Sequence, residues 1–317
     1  MRISWKYVLA GVLLVLLGPV ALKQLLPSDS RAFTGVSLED TNYREVEFRN
    51  GAQDLDLAGM LFVPEGEGPF PAAVIIHGSG TSRRDNGWYL TLTKVLQDNG
   101  VVVLRPDKRG SEKSGGDWRT ASFEDLATDT LAAIGYLDTQ RHVEVTNVGI
   151  VGMSQGGWIA PIVASQFNKV EFVVSFVGAA VRSDEQLAYE ENYNLRQMGF
   201  LPGVSNLVAM ASTRFIKHFG QRQYWQAVGN FDPLPYWREV GVSTLVLLGS
   251  DDTNVPSRES ADRLYALKNS NIRVRIYEGS GHPLEDPPEY GNNIIRYDAL
   301  EDISEFIDAA GLDAASP

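Results

Sequence analysis

Short apolar runs alternate along the chain with longer stretches in which apolar residues recur every three or four positions. The runs are nearly continuous in Val, Ile and Leu, which is typical of parallel strands covered on both faces, and the longer stretches have helical periodicity. The strand-like runs are 72–76, 101–104, 148–151, 172–177, 244–248 and 274–277. This alternation predicts an α/β domain with a mostly parallel central sheet and helices on both faces.

Two further extended segments, 43–49 and 55–63, lie on either side of Asn50-Gly51. This dipeptide favours tight hairpin turns, so an antiparallel hairpin is expected at the start of the sheet. The clearest helix begins after Ser122, where Asp125 stands three residues on, as in a capping box with Asp in the Glu position.

One segment breaks the alternation. Roughly 65 residues separate the strands at 172–177 and 244–248, too many for a simple crossover. We predict an inserted cap at about 183–237, because ligands of open α/β sheets bind beyond the carboxyl ends of the strands. Extra helices packed on the same sheet are the alternative.

The N-terminus is a separate element. Arg2 and Lys6 precede an apolar run at residues 8–22, which matches the apolar region of a secretory signal and, with its flanks, approaches the roughly 20 residues of a spanning helix. No clean cleavage site follows, so we favour an uncleaved membrane anchor over a cleaved signal, and a buried helix is the remaining alternative. In both of the first two interpretations the main domain is exported. It would lie on the periplasmic or extracellular face if the segment is an anchor, and it would be secreted if the segment is cleaved. The predicted division is an anchor or signal at 1–26, a polar linker at 27–42 and the main domain at 43–312.

The amino-acid composition excludes several classes of partner and active site. The 317 residues carry a net charge of −12, which disfavours a nucleic-acid partner. The absence of cysteine excludes a thiol nucleophile, disulfides and thiolate metal sites. The sequence also lacks a zinc pattern, a phosphate loop and a dinucleotide-binding glycine motif, so we expect neither a metal nor a cofactor.

The strand at 148–151 leads directly into Gly152-Met153-Ser154-Gln155-Gly156, and a helical stretch follows. In a strand–turn–helix of the G-x-S-x-G type the sharp turn raises the serine hydroxyl above the sheet, and the glycines leave room for the backbone. Ser154 is therefore the predicted nucleophile. Its base is sought among His77, His142, His218 and His282.

His282 follows the last strand in a Gly-rich loop and is the predicted base. His77 comes too early for the order Ser, Asp, His, and we expect it to order its own loop. The orienting acid should follow the strand at 244–248, where Asp251 and Asp252 both stand; the strand pattern leaves both open. For the oxyanion, the expected donors are the backbone N–H groups of Gln155 and Ser79, with a role for the Ser79 hydroxyl as the alternative.

These segments together resemble the strand-end motifs of the α/β hydrolases, in particular bacterial esterase-like members. The matching segments are HGSG (77–80), RPDKRG (105–110), GMSQGG (152–157), GSDDTNVP (249–256) and GSGH (279–282). The resemblance extends over residues ~43 to ~310. It implies the α/β-hydrolase fold, a cap, and Asp252 as the acid. Two departures bear on the pocket: Glu112 stands where the family has Gly, and 81–85 differs from the usual Pro-x-Asp-Arg-Asp.

The expected activity is hydrolysis of a small carboxylic ester through an acyl-enzyme. A thioesterase or a small-peptide aminopeptidase would use the same residues, and a non-catalytic, anchored hydrolase-like binding protein is the alternative of another class. Membrane contact is expected only through the N-terminal segment, and the oligomeric state is left open.

Overall fold

In a computed structural model, which describes residues 11, 31–140 and 143–314, eight strands form one sheet. The strands are β1 (Arg44–Asn50), β2 (Leu55–Phe62), β3 (Phe70–Ile76), β4 (Val102–Pro106), β5 (Val145–Met153), β6 (Phe172–Phe176), β7 (Ser243–Gly249) and β8 (Ile272–Tyr277). Their spatial order is β1-β2-β4-β3-β5-β6-β7-β8. The first two pairings are antiparallel and the others are parallel, which confirms the predicted mostly parallel sheet with an N-terminal hairpin.

Helices cover both faces of this sheet. They are α1 (Gly87–Asp98), α2 (Phe123–Asp138), α3 (Gly156–Gln166), α4 (Ser183–Gln197), α5 (Pro202–Phe215), α6 (Arg222–Val228), α7 (Leu234–Glu239), α8 (Ser257–Ala266) and α9 (Tyr297–Ala314). Helices α1 and α9 pack in one apolar core, and α2, α3 and α8 pack in the other. Because both faces are buried, the central strands have little use for polar residues, which explains their nearly unbroken apolar runs.

The β1–β2 hairpin agrees with the predicted extended segments. Asn50 pairs with Leu55, and residues 51–54 form the connection. Asn50 is buried and its side-chain amide donates to Thr128 Oγ1 (2.8 Å) and Asp129 Oδ1 (2.7 Å) on α2. These tertiary hydrogen bonds hold Asn50 at the end of the strand.

The start of α2 is as predicted. The Ser122 hydroxyl accepts from the Asp125 amide (3.0 Å), and the Asp125 carboxylate accepts from the Ser122 amide (2.9 Å). Two of the N–H groups that a helix start leaves without partners are thereby satisfied.

The long segment between β6 and β7 is helical. Helices α4 and α5 pack against each other, whereas Trp225 and Trp237, on α6 and α7, are buried in the core that contains α3. The last part of the predicted cap region therefore contributes to the main core, and α4 and α5 form its outer part.

The predicted anchor or signal at 1–26 lies, apart from Gly11, outside the described residues. Within 31–140 and 143–314, none of the helices combines the length and apolar character required to cross a bilayer.

Candidate active site

Ser154 lies in a strained turn between β5 and α3. Its φ is +52°, in the left-handed region that side chains rarely adopt, and its amide donates to the Phe176 carbonyl (2.8 Å). Two glycines make the turn possible: a Cβ on Gly152 would lie 2.4 Å from the Gly156 carbonyl oxygen, and one on Gly156 would lie 2.3 Å from that of Ile76. The G-x-S-x-G spacing is thus required by backbone crowding.

His282 and Asp252 complete a hydrogen-bonded line with Ser154. His282 Nε2 lies 3.0 Å from Ser154 Oγ, and His282 Nδ1 lies 2.8 Å from Asp252 Oδ2. Asp252 is buried, and its other oxygen accepts from the amides of Asn254 and Val255, both at 2.8 Å. These bonds fix the carboxylate so that it can hold one tautomer of the imidazole.

Asp251, the competing carboxylate, points elsewhere. It is exposed and accepts from the Ser250 hydroxyl (2.8 Å). Of the two neighbours that the strand pattern left open, the fold brings Asp252 to His282.

The loop that bears His282 is held from two sides. The Trp88 indole N–H donates to the Pro283 carbonyl (2.9 Å), and the Ser280 hydroxyl donates to the Glu285 carbonyl (2.9 Å). At its start the loop packs on the end of β7, where a Cβ on Gly249 would lie 2.4 Å from the Ser280 carbonyl oxygen. The imidazole is therefore positioned by packed backbone.

The two predicted oxyanion donors belong to segments next to Ser154. Gln155 follows Ser154 directly, and Gly78, which precedes Ser79, approaches Ser154 so closely that a Cβ on Gly78 would lie 3.2 Å from Ser154 Cβ. The Gly78 amide donates to the Tyr89 hydroxyl (2.8 Å), whereas the amides of Ser79 and Gln155 donate to no other group in the described part of the chain. Two amides of this kind near a serine hydroxyl suit an incoming oxyanion. The Ser79 side chain is exposed.

His77 is buried and its ring packs on Tyr89, with centroids 4.6 Å apart. Burial, followed by the charges of Arg105 and Lys108, lowers the pKa of His77 well below 6.5. A neutral imidazole in this position suits the structural role expected for it. Of the other two histidines, His218 is exposed and His142 lies outside the described residues.

Lys108 is a residue of the site to which the sequence assigned no role. Its buried ammonium donates to the Gly78 carbonyl (2.8 Å) and to Gln155 Oε1 (2.6 Å), and so connects the oxyanion loop to the residue after the nucleophile. The side-chain Nε2 of Gln155 in turn donates to the Tyr224 hydroxyl (2.7 Å) on α6. Burial lowers the pKa of Lys108 to about 7. A lysine directly after a buried strand, in RPDKRG, is the one sequence signal that could have indicated it.

The family of this chain follows from comparison with known proteins. Residues 131–294, just over half of the chain, match the family model described as BAAT / Acyl-CoA thioester hydrolase C terminal. The chain belongs to this family.

The chain is also similar to curated relatives and, in its fold, to solved structures. Esterase EstD of Thermotoga maritima is 22% identical over 240 residues, covering 71% of this chain and 57% of the relative. The mouse peroxisomal succinyl-coenzyme A thioesterase is 24% identical over 266 residues, covering 77% and 55% respectively. The chain thus spans little more than half the length of these curated relatives. The Pyrococcus furiosus esterase Pf2001 has a similar fold, with a TM-score of 0.63 at 19% identity over 88% of this chain and 96% of that one. The chain is an α/β hydrolase, as its motifs predicted.

The two departures from the esterase-like pattern contact each other in this family member. Glu112 has a φ of +49°, which explains why Gly is usual there, and its carboxylate accepts from the Arg84 amide (3.1 Å). Arg84 also forms a buried pair with Asp107, with bonds of 2.7 and 3.0 Å. Glu112 and the changed 81–85 loop therefore form one connected structure beside the oxyanion loop.

The described residues contain no group of His, Asp and Glu side chains arranged to hold a metal ion.

Proposed function

We propose that this α/β hydrolase cleaves carboxylic esters through an acyl-enzyme, with Ser154 as nucleophile, His282 as base and Asp252 as orienting acid. The observation that carries the proposal is the line from Ser154 Oγ through His282 to Asp252, with distances of 3.0 and 2.8 Å. A hydroxyl joined in this way to an imidazole can lose its proton as it attacks.

In the proposed reaction, Ser154 Oγ attacks the ester carbonyl carbon while its proton passes to His282 Nε2. The carbonyl oxygen becomes an oxyanion and accepts hydrogen bonds from the amides of Ser79 and Gln155. When the bond to the alcohol breaks, His282 returns the proton to the leaving oxygen. A water molecule then repeats the sequence on the acyl-enzyme, releasing the acid and regenerating Ser154.

Small carboxylic esters are the proposed substrates because an alcohol leaves more readily than an amine, and because esterases stand among the similar proteins. A second candidate is a thioester, which the description of the matching family model favours. Both reactions need the same groups, so the distinction depends on the leaving group that the pocket accepts.

The test compares p-nitrophenyl esters of increasing acyl length, acyl-coenzyme A thioesters and aminoacyl-p-nitroanilides at matched concentrations. We expect kcat/KM to be higher for the esters than for the thioesters and the anilides. Ser154→Ala should lose both the activity and the labelling by a fluorophosphonate probe. Ser79→Ala keeps the backbone amide and serves as the matched control, because activity should persist if the amide is the donor. A preference for thioesters or anilides would replace the ester assignment, and failure of the folded protein to label would indicate a non-catalytic scaffold.

We further propose that the apolar run at 8–22 exports the domain and retains it on the membrane, with the catalytic residues on the periplasmic or extracellular side. Its length and the preceding Arg2 and Lys6 support this. Membranes washed with alkaline carbonate should keep the full-length protein, and its release would contradict an integral anchor.

A further inference from the structure

Helix α5 has the reverse of the usual amphipathic pattern. It buries Ser205, Ala209 and Thr213, whereas a surface helix ordinarily turns its large apolar residues towards the core. The large apolar side chains of α5 and its flanks are exposed instead, namely Leu201, Val204, Leu207, Met210, Phe215 and Phe219. We call these six residues the outer face.

The exposure of the outer face is extensive. Leu207 is 70% exposed and Phe219 is 74% exposed. Val204, Leu207 and Met210 recur at three-residue spacing, so their side chains are neighbours on the helix surface, and the rings of Phe215 and Phe219 contact each other with centroids 5.4 Å apart. Single exposed apolar residues are normal, whereas groups of neighbouring exposed apolar residues, such as these two on one helix and its flank, indicate a binding surface.

The charge around the outer face indicates what binds there. Residues 192–231 contain no Asp or Glu, although the chain as a whole has 40 acidic residues and a net charge of −12. The same stretch contains Arg196, Arg214, Lys217 and Arg222, of which the three arginines are exposed, and Arg214 directly precedes Phe215 in the sequence. An apolar helix face bordered by cations is typical of segments that lie in the interface of an anionic bilayer.

The position of Arg31 agrees with this partner. The Arg31 guanidinium donates to the Asp286 carbonyl (2.7 Å) and to Asn292 Oδ1 (2.9 Å), in the loop that follows His282. Arg31, which follows the predicted N-terminal anchor in the sequence, therefore lies at the carboxyl edge of the sheet. The helices inserted between β6 and β7 leave the same edge.

We infer that the outer face of α5 docks on the surface of a lipid bilayer that contains anionic lipid, and that the candidate active site opens towards this bilayer. A second copy of the chain is a poorer occupant, because two like faces would bring their cations together. Docking does not depend on the proposed ester hydrolysis, so an experiment can contradict one proposal without contradicting the other.

The chain has no cysteine, so a single introduced cysteine can be labelled uniquely in the full-length protein. The probe is an environment-sensitive NBD fluorophore on Phe219→Cys, with Leu207→Cys as an independent second position. The matched control is Asn168→Cys, which is exposed and precedes β6 at the opposite edge of the sheet. All three are made in Ser154→Ala, so that the readout does not depend on turnover.

Each labelled protein is mixed with vesicles of phosphatidylcholine containing about one quarter phosphatidylglycerol. For Phe219→Cys and Leu207→Cys we expect a blue-shifted emission, an intensity rise of about twofold or more, and quenching by lipids that carry a shallow spin label. The control should show none of these. Two results would overturn the inference: equal responses at the outer face and at position 168, or a blue shift without lipid that grows with protein concentration, which would indicate a second copy.

Discussion

Replacing Lys108 with methionine should change how the stability of the folded protein depends on pH. Lys108 is buried between the Gly78 carbonyl and the Gln155 side chain, and burial lowers its pKa from the ordinary 10.5 to about 7. Methionine has a similar length and no charge, so it removes the titration while keeping most of the packing.

The magnitude follows from linkage between protonation and folding. Below about pH 7 Lys108 is protonated in both states, but between pH 7 and 10.5 the unfolded chain binds a proton that the folded protein has lost. The free energy of unfolding of the parent protein therefore rises with pH in this window, by about 1.4 kcal/mol per pH unit for one group. Between pH 7 and pH 9 the parent should gain about 2–3 kcal/mol relative to Lys108→Met.

The other buried basic groups around His77 and Lys108 do not change charge between pH 7 and pH 9. His77 stays neutral because its pKa lies well below 6.5, and Arg105, whose pKa burial lowers to about 10, stays charged up to pH 9. The hydrogen bonds to the Gly78 carbonyl and Gln155 Oε1 act in the opposite direction to burial, since they favour the ammonium.

The assay is urea unfolding followed by tryptophan fluorescence at pH 7, 8 and 9 and constant ionic strength. Lys113→Met is the matched control, because the exposed ammonium of Lys113, which pairs with Glu45, loses little hydration on folding. If the difference in free energy of unfolding between the parent and Lys108→Met stays constant within about 0.5 kcal/mol, the hydrogen bonds offset burial and the reasoning is refuted.

Three further predictions test the turn at Ser154 and the residues around the candidate active site. Asp252→Asn should lower kcat by roughly 10⁴-fold, because the amide favours the wrong tautomer of His282, whereas Asp251→Asn should stay near the parent; equal losses in steady-state kinetics would contradict the assignment. Gly156→Ala should lower the free energy of unfolding by about 2–3 kcal/mol, since its Cβ would meet the Ile76 carbonyl oxygen at 2.3 Å, and unchanged thermal unfolding would argue against the turn described. Glu112→Gly should be more stable than Glu112→Ala by about 1 kcal/mol because of the positive φ at this position. Equal free energies of unfolding of the two variants in urea would contradict this prediction.

Much of the fold could be read from the pattern of residues. Burial on both faces can be recognised directly in the sequence, because strands such as β5 and β6 are then mostly apolar. The capping box at Ser122 is equally local. The contacts of the Asn50 side chain could not be predicted in the same way, because its hydrogen-bond partners lie on α2, some 78 residues further along the chain.

The sequence by itself determined which segments could meet. The carboxyl ends of parallel strands lie at one edge of a sheet, so Ser154, the Asp251-Asp252 pair and His282 had to be near each other. The resemblance of the strand-end motifs already favoured Asp252 over Asp251, and the fold brings Asp252 to His282. Only the tertiary structure decided that Lys108 connects Gly78 to Gln155, and that α5 turns its apolar residues outwards. The physical reason is range: periodicity and turn chemistry act over a few residues, whereas Ser154 and His282 are 128 residues apart, and the contacts between such segments depend on the packing of the whole domain.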